Sequence, residues 1–238
     1  IILPKSIKND RDDLPEFGKR FARERYSASW GLDLNEGIQD HDLVLKFNQW
    51  QKGVQAYLAS ISFVDDYVGK ILDALERSKY AENTIVVLWG DHGWHLGEKQ
   101  HWRKQALWED TTHVPFIVSF PAKISQNQIC NAPVSLIDIF PTLIELIGLP
   151  EKDDLDGKSL VPLLKNPTLN WDRPVLTTYG KGNHAVRSGM WRYIQYQDGG
   201  SELYDHQMDP HEWFNLSDKD EYKDVIAELK THLPKEEK

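Results

Sequence analysis

Between Gly90 and Lys104 the chain reads Gly90-Asp91-His92-Gly93-Trp94-His95-Leu96-Gly97-Glu98-Lys99-Gln100-His101-Trp102-Arg103-Lys104. These fifteen residues hold three His, two carboxylates, three cations and three Gly. Asp91 and His92 are adjacent and flanked by glycines, so both side chains can leave a tight turn toward one point. A carboxylate oxygen suits a hard cation such as Ca²⁺ or Mg²⁺, and an imidazole adds a ligand or an orienting hydrogen bond. Lys104 can carry its ammonium to the same place and neutralise an anionic substrate group as a point charge. Asp-His-Gly alone is a weak signal, because a His after a strand also serves as a hydrogen-bonded turn residue. Glu98 likewise reads as a cap or as the partner of a nearby cation, and His95 as a ring packed beside Trp94.

Something must hold that loop. Ile85-Val86-Val87-Leu88-Trp89 runs directly into it, a continuous apolar segment that predicts a parallel strand buried on both faces. Upstream, Val54, Tyr57, Leu58, Ile61, Val64, Val68, Ile71, Leu72 and Leu75 recur at spacings of three and four, predicting a long amphipathic helix from Trp50 to about Ser78. Asp65 falls on its apolar side, where a carboxylate needs a hydrogen-bonding partner. Val114 to Phe120 predicts a second strand, and Ser135 to Ile147 a helix stopped by Gly148. Val175 to Tyr179 adds a third strand. This rhythm is that of an α/β layered fold, in which ligands bind beyond the carboxyl ends of the strands, where the Gly90 loop lies.

After Gly180 the rhythm changes. His184 to Arg187, Trp191 to Tyr196 and Glu202 to Tyr204 predict short strands, with Asp198-Gly199-Gly200 as a hairpin turn, and a helix from about Asp218 to Leu233 closes the chain. Residues 1–180 therefore read as an α/β core and 181–238 as an antiparallel subdomain with a terminal helix. Residues 1–45 read as a loop-rich approach segment that wraps another surface. Arg187 and Arg192 are expected to face solvent or pair with acids, and Asp205, Asp209 and Glu212 to sit in turns and at a helix start.

The 238 residues carry 28 Lys+Arg against 37 Asp+Glu, a net charge of −9, which argues against a nucleic-acid backbone as partner, since such proteins supply clustered cations. No apolar run approaches the ~18 residues of a membrane span. One cysteine, Cys130, excludes an internal disulfide framework and a multi-cysteine metal site.

The run Asn83 to Lys99, followed by His101-Trp102-Arg103-Lys104 and His113-Val114-Pro115, resembles the sulfatase family, more narrowly its bacterial iduronate-2-sulfatase-like members. The likeness continues through Ser135-Leu136-Ile137-Asp138-Ile139-Phe140-Pro141-Thr142-Leu143, Asp156-Gly157-Lys158-Ser159-Leu160, His184 to Ser188, Glu202 to Asp205 and Asp209 to Trp213. It implies an alkaline-phosphatase-like α/β/α sandwich with a small C-terminal antiparallel sheet and terminal helix. It implies hydrolysis of a sulfuric ester, on a sulfated carbohydrate, in the periplasm or outside the cell. Asp91 and His92 match ligands of the single Ca²⁺ that such enzymes hold against the sulfate, with His92 standing where many relatives have Asn. Lys104 matches the lysine that contacts the sulfate. His184, and with it His101, are candidate substrate contacts.

The same resemblance marks what this chain does not carry. Sulfatases use a formylglycine made from the Cys or Ser of a Cys/Ser-x-Pro-x-Arg motif. Cys130-Asn131-Ala132-Pro133-Val134 does not meet that motif, and Cys130 reads as an ordinary buried thiol. The early pair of metal-binding aspartates also has no counterpart. The chain thus reads as the C-terminal half of a sulfatase, inactive by itself, whose N-terminal half is the expected partner. Two other readings stay open: a phosphoesterase of the same superfamily with two zinc ions, and a non-catalytic carbohydrate-binding or scaffold fragment.

Overall fold

The computed structural model describes residues 1–23 and 39–235. Residues 24–38 of the expected approach segment lie outside the described residues. Helix α1 (Glu16–Ala22) precedes them, and α2 (Asp40–Lys46) and α3 (Trp50–Glu76) follow. The three-four spacing read in the sequence does make one 27-residue helix in α3. Its apolar stripe, however, is open. Leu58, Ile61, Val64, Ile71 and Leu72 of it, with Phe63 and Tyr67 beside it, are each between 42% and 67% exposed, and only Val54 is buried. Asp65 is exposed as well, so the buried acid with a structural partner expected there is not what forms.

Strand β1 (Val86–Trp89) feeds the chemistry-bearing loop, which contains the two-residue strands β2 (His95–Leu96) and β3 (Trp102–Arg103) and leads to the single turn α4 (Glu109–Thr112). Strand β4 (Phe116–Ser119) then returns beside β1 in antiparallel register, Val86 opposite Ser119 and Trp89 opposite Phe116. This corrects the expectation of a doubly buried parallel strand. The ribbon has two strands, one side of it meets Phe120, Leu146 and Val161, and Trp89 and Ile117 remain 51% and 59% exposed. A continuous apolar run suits two covered faces, and here only one is covered.

Helix α5 (Ile139–Ile147) starts from a capped turn in which Asp138 accepts from Ser135 N at 2.9 Å, and it ends on Gly148 at φ 74°. After α6 (Val161–Lys165), strands β5 (Val175–Thr178), β6 (His184–Ser188), β7 (Trp191–Gln195) and β8 (Ser201–Asp205) form one antiparallel sheet in sequence order. The strand at Val175, read as a third strand of the layered part, therefore pairs with the C-terminal sheet. Period-two alternation gives that sheet two apolar faces. Val186, Tyr193 and Leu203 pack under Leu229 of α7 (Lys223–Lys230), whereas Ala185, Ile194 and Tyr204 join Leu107, Trp108 and Leu14 on the other side. The segment before residue 24 thus wraps the C-terminal sheet. Among the described residues no helix is long and apolar enough to cross a membrane.

Candidate active site

The loop that leaves β1 is stitched to α4 by backbone hydrogen bonds, Gly93 N to Thr111 O at 2.7 Å and Trp94 N to Asp110 O at 2.8 Å. A Cβ on Gly93 would fall 2.0 Å from the Asp110 carbonyl, so the approach requires glycine. Gly97 is doubly constrained: its φ is 118°, and a Cβ there would meet the Trp50 ring at 2.6 Å. The Trp50 indole N–H also donates to Leu96 O at 2.6 Å, which fastens the loop to the start of α3. Lys99, Gln100 and Arg103 all take positive φ, a conformation costing on the order of 1 kcal/mol or more per non-glycine residue.

This scaffold brings Asp91, His92 and Lys104 together. Nδ1 of His92 lies 2.9 Å from the carbonyl of Gly93, which can only accept, so Nδ1 carries the proton and Nε2 the lone pair. Lys104 Nζ donates to that lone pair at 2.8 Å, and Asp91 Oδ2 stands 3.6 Å from the same nitrogen. The Asp91 side chain is 84% exposed, toward a cavity of about 1000 Å³ that Asp91, His92 and Lys104 share with Thr178, Arg187 and Cys130. A carboxylate and a neutral imidazole nitrogen at this separation fit two ligands of one ion at ~2.0–2.6 Å, the remaining ligands coming from elsewhere.

Other expected site residues fall elsewhere. His101 is buried, its ring 5.0 Å from that of His95 and 6.0 Å from that of Trp108, and it does not line the cavity. His184 is also buried, with Nδ1 2.9 Å from Thr178 Oγ1, so it stands behind a wall residue of the cavity rather than in it. Cys130, expected to be buried, is exposed on the cavity wall, because its segment crosses the surface without regular structure. His95 packs edge-on to Trp108 at 5.8 Å rather than beside Trp94. Glu98 accepts from the backbone N–H of Leu96 in β2 at 2.6 Å rather than capping a helix.

The cavity wall also carries a charged layer that no motif announced, with Glu109, Arg187 and Arg192 among its lining residues. Arg192, buried on β7, pairs with Glu109 and, at 2.8 Å, with Glu212, which also meets His206 at 2.7 Å. Burial alone pushes both carboxyls up, but the Arg192 guanidinium and the His206 ring outweigh it, holding Glu109 below its usual range and Glu212 at about 2. Arg187 lies 3.5 Å from Glu109. Both arginines are therefore paired with acids, one of the two outcomes the strand pattern allows, and Glu212, in the turn closed by its N–H to Asp209 O at 3.2 Å, is also a buried ion-pair member. Glu202 is a second hidden centre, accepting from Trp108 Nε1 at 2.7 Å, Tyr204 OH at 2.6 Å and Tyr196 OH at 2.7 Å. The only sequence trace of this layer is a set of charged residues at inward positions of otherwise apolar strands.

Residues 9–149 match the family described as Sulfatase, and residues 97–238 match N-sulphoglucosamine sulphohydrolase, C-terminal. A protein named Sulfatase from Formosa agariphila is 42% identical over 99% of this chain and 44% of its own length. The solved structure of BT4656 in complex with its substrate D-glucosamine-2-N,6-O-disulfate matches with TM-score 0.72 and 25% identity, over 86% of this chain and 43% of that one. The phosphonate monoester hydrolase SpPMH from Silicibacter pomeroyi matches with TM-score 0.77 and 21% identity, over 97% of this chain and 49% of that one. The chain spans about half the length of the relatives it matches. The fold is the alkaline-phosphatase-like one, with its C-terminal antiparallel sheet and terminal helix.

Proposed function

This chain belongs to the sulfatase family, and from that premise we propose that it supplies part of the active site of a sulfuric ester hydrolase acting on sulfated carbohydrate. The observation that carries the proposal is the approach of Lys104 Nζ to His92 Nε2 at 2.8 Å, beside Asp91 at one end of the large cavity. Asp91 and His92 would hold the family's Ca²⁺, the Lys104 ammonium leaving the His92 Nε2 lone pair to the ion, which when bound supplies positive charge to sulfate oxygens. Lys104 binds the same oxygens as a point charge. Cleavage of the ester S–O bond builds negative charge on the sulfate and on the leaving oxygen, so a fixed ammonium there counts most at the transition state. His184 orients Thr178 at the cavity wall, where the sugar would lie.

The formylglycine and the remaining metal ligands belong, in this proposal, to the N-terminal half of the sulfatase fold, which also covers the open stripe of α3. The location that goes with it is periplasmic or secreted. The test is direct. The 238-residue chain should release no sulfate from a sulfated glucosamine. Combined with the complementary half of the Formosa agariphila relative, carrying its Cys/Ser-x-Pro-x-Arg motif, it should do so. Hydrolysis by the chain alone, or none by the combination while the two parts bind, would overturn the proposal.

One observation favours a second reading. A phosphonate monoester hydrolase shares this fold, so architecture does not choose between sulfur and phosphorus. Comparing a sulfate ester with a phosphonate ester of the same leaving group in the completed enzyme does choose, and the sulfate ester should be preferred.

A further inference from the structure

His95 is fully buried, and neither ring nitrogen makes a hydrogen bond of ordinary geometry among the described residues, the Glu98 backbone carbonyl approaching the ring only as a weak acceptor. Burying a polar group in that state costs on the order of 1–3 kcal/mol. The nearest carboxylate oxygen is Asp110 Oδ2, 3.9 Å from Nδ1. That is too far for a hydrogen bond but close to the spacing of two atoms bound to one metal. Glu98 completes the group, and one donor atom from each of His95, Glu98 and Asp110 lies within 4.8 Å of the others. Glu98 accepts from Leu96 N at 2.6 Å, which fixes its carboxylate without exhausting its acceptor capacity.

The charge around this group is unbalanced. Burial, then His101 and Lys99, push the His95 ring well below the usual imidazole range, so it stays neutral and offers a lone pair. Burial raises the Asp110 carboxyl to about 7, and Glu98, Glu212 and Glu109 add to the push. The other nearby cluster makes the contrast. Glu109, His206 and Glu212 have comparable donors, but the buried Arg192 guanidinium already stands among them as their cation. Lys99, a cation that acts on Asp110, is committed to Asp10 at 3.2 Å and to the Glu212 carbonyl.

We propose that His95, Glu98 and Asp110 bind one divalent transition-metal ion, distinct from the Asp91–His92 ion, through one nitrogen and two carboxylate oxygens. Zn²⁺ suits this donor set, since it accepts imidazole at ~2.0–2.1 Å and carboxylate at ~2.0–2.2 Å and readily keeps water as a fourth ligand. The Asp110 side chain is half exposed and gives the ion its way in. Once bound, the ion ties Glu98 and β2 to the first turn of α4, the two elements between which the Asp91 loop is stitched.

This second site does not depend on the sulfatase reading, and its test measures no turnover. Asp91→Ala/His92→Ala in the 238-residue chain removes the cavity ligands. This variant, stripped of metal, should bind one equivalent of Zn²⁺ by calorimetry, and Co²⁺ should give d–d absorption bands. Asp110→Asn and Glu98→Gln, made in that background, should each weaken Zn²⁺ binding at least tenfold while leaving the circular dichroism spectrum unchanged. His95→Gln should abolish the Co²⁺ bands, but it alters a buried position, so Asp110→Asn is the deciding variant. Absence of stoichiometric Zn²⁺ binding by the folded chain, or equal affinity with and without the Asp110 carboxylate, would overturn the proposal.

Discussion

The Lys99 ammonium lies 3.2 Å from Oδ1 of Asp10, with both side chains buried, and so joins residues 89 apart in the chain. Lys99 also donates to the Glu212 carbonyl and sits 5.5 Å and 5.1 Å from the ring centroids of Trp108 and Tyr204. One cation thereby couples the first segment, the Asp91 loop and the C-terminal sheet. Burial raises the Asp10 carboxyl despite Lys99, so desolvation is the larger effect on that group.

Removing one partner should therefore cost far more than removing both. Asp10→Ala strands a buried ammonium and should destabilise the fold by about 3–5 kcal/mol, whereas Asp10→Leu/Lys99→Met should lie much closer to the parent. Urea unfolding of the three proteins measures this. A double variant less stable than Asp10→Ala would show that the pair is strongly stabilising and that desolvation is the smaller effect.

Glu212 sets an acid limit. Its folded pKa of about 2 lies below the ordinary 4.5, so it contributes stability at neutral pH that fades as pH falls from about 4.5 to about 2. Each tenfold change in proton affinity is worth ~1.4 kcal/mol, so the contribution is on the order of 3 kcal/mol. Unfolding free energy should drop over that window in the parent. In Glu212→Gln the drop should be smaller and the neutral-pH stability lower, since Arg192 loses its closest buried carboxylate charge. Parallel pH profiles for the two proteins would contradict the assignment.

How much of this is legible in the sequence follows from the range of each interaction. Helix α3, the stop at Gly148 and the Asp198-Gly199-Gly200 hairpin are local, written in spacing and in glycine's left-handed freedom. The convergence of Asp91, His92 and Lys104 is legible because one loop carries all three. The pairing of β1 with β4 is not, because an apolar run fixes burial but not strand direction. Nor is the Arg192–Glu109–Glu212 layer, whose members come together only when β7, α4 and the loop after β8 meet. A charged residue inside an apolar strand pattern marks such a partner without naming it.

The stripe on α3 should make the chain associate with itself when alone. Seven large side chains at 42–67% exposure on one helix exceed the scattered apolar residues of an ordinary surface. The parent chain should sediment as concentration-dependent oligomers, and Ile61→Glu/Ile71→Glu should shift it toward monomer with little loss of stability. The same change should weaken binding to the complementary half of the Formosa agariphila relative at least tenfold. A parent chain that is monomeric at all concentrations, or a variant that still binds that half fully, would exclude α3 as the covered face.

Asp91 and Lys104 should separate in the completed enzyme. Asp91→Ala removes a carboxylate that holds the ion, so Ca²⁺ occupancy and turnover should fall together and excess Ca²⁺ should partly restore both. Lys104→Ala leaves both proposed ligands in place, and with them the ion. It removes the ammonium now 2.8 Å from His92 Nε2, which the proposal gives to the sulfate. Losing one such donor costs about 10²–10³ in rate, roughly 3–4 kcal/mol, and added Ca²⁺ should recover none of it. Because Lys104 is exposed and the His92 ring keeps its bond to Gly93 O, the variant should fold normally. Near-parent turnover in Lys104→Ala, or rescue of it by Ca²⁺, would remove Lys104 from the sulfate site and leave it as the hydrogen-bonding partner that orients His92.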